Sequence, residues 1–302
     1  MTHPYATRAY AEIVAGPEEA VFEVPEWGQW VICRPIGAGA GTDAAGCYPV
    51  AAFPKRSDLS GGLARLEAHG CVSAVLVADP TLCPQAHDLS AAFDVCRPFK
   101  SHFLLDRRAG TGRYSKHHRY ELRRARADVR RIDLRDHMPE WIALYAELVM
   151  RRQIAGPAAF SEAAFHALAR LEGLVAFGAF AGGALIACHL WVRHGVRVHS
   201  HLSAANDAGR GCGATYLLYD AAIRFFEDAE TIDFGGTAGL VDDPNDGLAR
   251  FKRGFSNASR PAFLCGKILD PSRYRALSAG METDYFPAYR VPSLRQTEEV
   301  HP

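Results

Sequence analysis

The chain has 302 residues, 48% apolar and 23% charged, and its 34 Lys plus Arg balance 34 Asp plus Glu. That length accommodates two domains with sizeable cores, and the composition is ordinary for a globular protein. Zero net charge excludes wholesale electrostatic attraction to nucleic acid, so any anion site has to come from local clustering.

Residues 1–19 are polar and acidic without an apolar core, and no run approaches the roughly 18 apolar residues of a membrane helix. The eight cysteines form no CxxC pair and sit mostly in apolar runs. They read as buried free thiols of a reducing compartment, and the expected location is the cytoplasm.

In chain order, short strands are expected at 30–35 and 47–53. A helix is expected over 59–69, with Gly70 as its stop, then a buried strand at 71–78 and another at 101–106. Residues 106–113 lack periodicity and read as a connector. A helix follows at 115–127 and a strand from Val129. Pro139 opens a helix with Trp141, Leu144, Tyr145 and Leu148 on one face, and Ser161 caps another through Leu171. Three strands, 174–180, 184–192 and 196–203, are separated by glycine turns. A buried helix at 214–226, strands at 232–234 and 262–269 and a tail from Pro271 complete the chain.

The segment Asp233-Phe-Gly-Gly through Phe251-Lys-Arg-Gly-Phe255 reads as a strand ending in a glycine turn, a polar loop and a short helix. Glycines at a strand end let backbone approach a ligand, and a lysine between two aromatics four apart is presented on a fixed helix face. Lys252 is therefore a candidate for an anionic transition state or a phosphate. Arg250 and Arg253 flank it with forked guanidinium groups, or pair with Asp242, Asp243 or Asp246. Asp243 and Asn245 lie in a turn-rich acidic loop that either meets an attacking amine or is simply solvated. His199 and His201 alternate on a strand and share a face, but no third ligand is spaced to join them, so no metal site is expected.

On the helix 115–127, Lys116, Arg119, Arg123 and Arg126 fall in one stripe at 100° per residue, opposite His118, Leu122 and Ala125. Arg113, Arg124, Arg130 and Arg131 add to the local positive charge, as an RNA acceptor stem or another polyphosphate requires. A solvated face is the plainer reading. The loop from Asn206 to Ala214 holds Arg210, Gly211 and Gly213 before the buried helix, a partial version of a pyrophosphate cradle. No GxSxG or Walker A loop occurs, and Cys212 is the only cysteine near a helix start.

The element order, together with His201-Leu-Ser-Ala, the Gly213–Ile223 helix, Asp233-Phe-Gly-Gly, Phe251-Lys-Arg-Gly-Phe and the basic Lys116–Ala125 helix, resembles the Fem-type branch of the GNAT acyltransferases. The resemblance covers about residues 100–270 and extends only by pattern over 20–100. It implies an α/β chain with a mixed sheet and tandem GNAT-like domains: a degenerate one over 1–109, a catalytic one over 110–270, and a tail 271–302 packing back on the first. It implies aminoacyl transfer from aminoacyl-tRNA to an amine, forming an amide bond in a cell-wall precursor or peptide natural product. The chain lacks the heptad arm of many cell-wall members. Lys252, His201 and Asp233 then become catalytic candidates. Arg250, Arg253, Asp243, Asn245, Gly235 and Gly236 become substrate contacts, and Lys116, Arg119, Arg123 and Arg124 RNA contacts. Arg210, Gly211 and Gly213 keep acyl-CoA open as an alternative donor. A non-catalytic GNAT-like binding protein is the other alternative.

Overall fold

The computed structural model describes residues 2–54, 57–110, 112, 114–237, 239, 242, 243 and 245–291. Arg113 and the tail beyond Val291 therefore lie outside the described residues. One 11-stranded mixed sheet runs through the molecule.

The first half contributes β1 (Ala20–Val24), β2 (Gln29–Pro35), β3 (Thr42–Gly46), β4 (Cys71–Ala78) and β5 (Val95–Asp106). The second half contributes β6 (Asp128–Ile132), β7 (Leu174–Ala181), β8 (Ala184–His194), β9 (Arg197–Ala205), β10 (Thr231–Asp233) and β11 (Ala258–Ile268). Their order across the sheet is β1-β2-β3-β4-β11-β5-β10-β9-β8-β7-β6. Among the described ladders, β3–β4 and β9–β10 are parallel and the others antiparallel. The sheet is continuous across the proposed 109/110 boundary, because β11 returns to sit between β4 and β5.

Two strand and helix expectations need correction. The strand expected at 47–53 is a single bridge, Ala51 to Ala78, and the ladder is made by 42–46. Pro49 and Pro54 lack the N–H a ladder needs, while the small residues of 42–46 carry almost no strand signal. The tail contains a helix, α10 (Pro271–Leu277), capped by Asp270 and opened by Pro271. Tyr289 then bonds Ser73 at 2.7 Å, and Arg290 pairs with Asp43 on β3. The basic helix, α4 (Lys116–Arg124), is shorter than expected: Ala125 is extended, so Arg126 leaves the cationic stripe and donates to the Arg123 and Ala125 carbonyls.

Two helices position the site. The first is α8 (Ala214–Phe225), which buries Leu218, Tyr219 and Ala222 against the sheet with Trp191 and Phe234. The second is α9 (Gly247–Arg253), capped by Asp246. His118 of α4 locks the basic helix onto α9: Nε2 bonds the Phe251 carbonyl at 2.7 Å and Nδ1 the Ser115 hydroxyl at 2.9 Å. The ring lies where a side chain on Gly254 would stand, with an ideal Cβ 1.9 Å from Cε1. Gly254→Ala is therefore expected to cost about 3 kcal/mol by overpacking a ring that is bonded at both nitrogens. An unchanged urea midpoint would refute this.

Candidate functional site

The chemistry-bearing side chains gather where β10 ends. Asp233, the last residue of β10, is buried. Its Oδ1 accepts the Gly235 amide at 2.7 Å, and its Oδ2 takes His102 Nδ1 at 2.8 Å. These bonds fold the Gly235-Gly236 turn back against β5. Lys252 enters from α9 and donates from Nζ to the Gly236 carbonyl at 2.6 Å. Only 9% of Lys252 is exposed, so the ammonium is an interior group rather than a surface one.

Lys100 of β5 reaches the same turn, its Nζ donating to Thr237 Oγ1 at 2.9 Å. Both glycines are required. Gly235 has φ +75°, and a Cβ there would lie 3.3 Å from Lys252 Nζ. On Gly236 a Cβ would lie 2.9 Å from Lys100 Cβ.

The electrostatics follow from this crowding. Burial lowers the Lys252 pKa to about 8; Asp233 and Asp246 resist the shift and Lys100 adds to it. Burial also lowers Lys100, against Asp242 and Asp246. Two ammonium groups thus share one turn, while the Asp233 carboxylate beside them is committed to His102 and the turn itself. A lysine with three donors and one internal acceptor keeps hydrogens for an incoming anion.

Along the same face of the sheet runs a buried polar row. Strand alternation places Lys100 and His102 together on β5, and Asp233 pairs in register with His199 of β9. His199 Nε2 meets Asp79 Oδ2, from the loop after β4, at 2.8 Å. Burial opposes charge on His199, and the Asp79 carboxylate more than offsets it, so its pKa is raised.

His201 sits beyond it among Tyr5, Tyr10 and Phe160, with Nδ1 3.1 Å from the Tyr5 hydroxyl. Burial, reinforced by His199, pushes it down to about 3. His201 is therefore a neutral ring in an aromatic pocket, not a proton donor at neutral pH.

The structure thus brings Lys252, Asp233, Gly235 and Gly236 together and leaves the other expected site residues apart. Arg250 is exposed, and Arg253 lies over the Phe103 ring at 5.4 Å. Asp243 and Asn245 are exposed, and the Asn245 backbone N–H donates a hydrogen bond to Asp243 Oδ1. Of the acidic residues offered as partners for the arginines, Asp242 accepts from the Ser101 amide and hydroxyl, and Asp246 caps α9.

Arg210 is held by Glu147 and Asp207, and its loop winds into a short helix, α7 (Asp207–Gly211). The amides of Gly209, Arg210, Cys212 and Gly213 bond within that loop, so four donors of the pyrophosphate cradle are already used. Gly211 is exposed there, and Gly213, at φ +74°, caps α8. On α4, Lys116, Arg119, Arg123 and Arg124 are all exposed, and Arg124 lies over Tyr120. An open groove lined by Arg107, Tyr114 and Arg119 runs at the base of that helix, and Lys252 is not among its lining residues.

Sequence reasoning missed Lys100, His102, Asp79, His3 and Tyr5. Lys100 and His102 had a usable signal, two polar residues alternating into an otherwise apolar strand. The others are brought in from remote segments and had none.

Residues 112–253 match the family model described as the acetyltransferase (GNAT) domain. This stretch, just under half of the chain, is similar to that domain. No curated protein matches the sequence. The whole fold is similar to that of FemX, with TM-score 0.64 and 13% identity over 91% of this chain and 95% of FemX. It is also similar to the C-terminal DUF2156 domain of an Agrobacterium fabrum protein assigned as a lysylphosphatidylglycerol synthetase (TM-score 0.59, 14% identity, 86% and 87% covered). A third similar structure is L-PGS from Bacillus licheniformis (TM-score 0.59, 13% identity, 87% and 88% covered). The fold is one that this chain shares with FemX and L-PGS. Lys252 and the glycine turn lie within or at the edge of the matched GNAT segment. No helix among the described residues is long and apolar enough to cross a membrane.

Asp233→Asn tests the site's wiring. The amide still accepts from Gly235 but no longer offsets the burial of Lys252, so the Lys252 pKa falls below about 8. The alkaline limb of activity should move to lower pH, and a limb that stays in place would refute the coupling.

Proposed function

We propose that this chain is an aminoacyltransferase that moves an aminoacyl group from aminoacyl-tRNA to the amine of a small-molecule or peptide acceptor. The acceptor nitrogen attacks the ester carbonyl, a C–N bond forms, and the C–O bond to the ribose breaks. The departing ribose oxygen takes the proton the amine loses. The barrier lies in the tetrahedral oxyanion, which a fixed donor at the end of β10 would stabilise.

The observation that carries the reading is the buried Lys252 ammonium against Gly236, beside Lys100, in a segment similar to the GNAT domain. Two features support the reading, the first bearing on an RNA-borne donor and the second on aminoacyl transfer. The α4 face is exposed and cationic and is tied through His118 to the carbonyl beside Lys252. The Agrobacterium neighbour is named for joining a lysyl group to phosphatidylglycerol, which is itself aminoacyl transfer. The Arg210 loop, with its donors spent internally, does not favour acyl-CoA.

The test incubates the full chain with charged tRNA pools, acyl-CoAs and candidate amines, read by mass spectrometry. The expected product is an acceptor heavier by one aminoacyl residue, lost when ribonuclease is added first. A ribonuclease-resistant product that needs acyl-CoA overturns the donor assignment. No product from either donor points to a binding protein.

A further inference from the structure

We propose that His3, Asp79 and His199 bind a divalent transition-metal ion, zinc foremost, which ties three remote segments of the chain together beside the candidate site. One ligand atom from each residue lies within 4.8 Å of the other two, and all three residues are buried. They come from the segment before α1 (Arg8–Val14), the loop after β4 and strand β9. Spacing along the sequence therefore gave no hint of the set.

The hydrogen bonds already present account for Asp79 but not for the histidines. Asp79 Oδ1 accepts the Thr81 amide, the Thr81 hydroxyl and the Leu82 amide, and Oδ2 takes His199. His3 Nε2 and His199 Nδ1 are buried with no hydrogen-bond partner. Buried polar atoms are rarely left so, and an ion bound at His3 Nε2 would give that nitrogen a partner.

Two imidazoles and a carboxylate are the donor set of open zinc sites. Calcium and magnesium prefer six or more oxygen ligands. His199 would ligate through Nε2, the ion replacing the proton it shares with Asp79. His3 would ligate through Nε2, moving its ring proton to Nδ1 and releasing the 3.2 Å bond from the Tyr5 amide. Because His199 pairs with Asp233, the ion would stand next to the Asp233–His102 pair. This proposal does not depend on the transfer reaction.

The test uses the tag-free full chain, stripped with a chelator, incubated with zinc(II) and desalted. One zinc per chain and a raised Tm are expected. Cobalt(II) should give visible ligand-field bands without the near-ultraviolet thiolate band that the eight cysteines would produce. His3→Ala and Asp79→Asn should each weaken zinc binding by roughly tenfold or more. Substoichiometric zinc, a thiolate spectrum, or equal affinity in folded His3→Ala overturns the proposal. Should both variants misfold, the unaltered protein still decides: the imidazole nitrogen resonances of His3 and His199 and the Tyr5 amide must shift on adding zinc, and unchanged resonances overturn it.

Discussion

Replacing Lys252 by methionine should give a folded protein whose turnover is lower by about 10²–10³, the usual loss when one preorganised oxyanion donor is removed. Methionine fills the space of the lysine stem without the charge. The ammonium is buried, and its pKa of about 8 lies below the 10.5 of an unfolded chain. Below pH 8 both states hold the proton, and the fold carries the cost of the buried charge. Between pH 8 and 10.5 the unfolded chain holds more protons than the native one, so stability rises with pH, by about 3 kcal/mol in all. The methionine variant lacks this rise and at pH 7 should melt at or above the parent temperature.

Activity should run the opposite way, falling above about pH 8 as the ammonium is lost. Paired pH profiles of kcat/KM and of urea midpoints read both effects. Activity that climbs through pH 8 would assign the work to the neutral amine. A variant with full turnover would remove Lys252 from the chemistry altogether.

The second large effect is expected on donor binding. Replacing Lys116, Arg119 and Arg123 together by alanine should raise KM for aminoacyl-tRNA on the order of 10- to 100-fold and leave kcat near its parent value. All three side chains are exposed, so each change should alter stability by only about 0.5 kcal/mol. If each meets a phosphate, the slope of log affinity against log salt should flatten by about 3. A salt titration with an unchanged slope would assign these cations to solvent.

The strands of the second half, the helix at 214–225 and the turn at 235–236 were legible because periodicity and glycine placement are local signals. The turn at Asp233 and the helix bearing Lys252 were legible for the same reason. The depth of Lys252 was not, since a lysine on a short amphipathic helix reads as solvated until the opposing strand is known. The partner of the 258–268 strand was equally hidden: its apolar pattern fits any central position, and it is the fold that sends it between β4 and β5. Asp79 and His3 meet His199 across 120 and 196 positions, a distance over which sequence spacing carries no information.

That late-arriving central strand has a consequence for how the polypeptide is made. During synthesis, the edges of β4 and β5 that β11 will join stay bare until residue 268 has left the ribosome. An expression clone ending near residue 110 would expose those two edges side by side and should aggregate rather than yield a free-standing half.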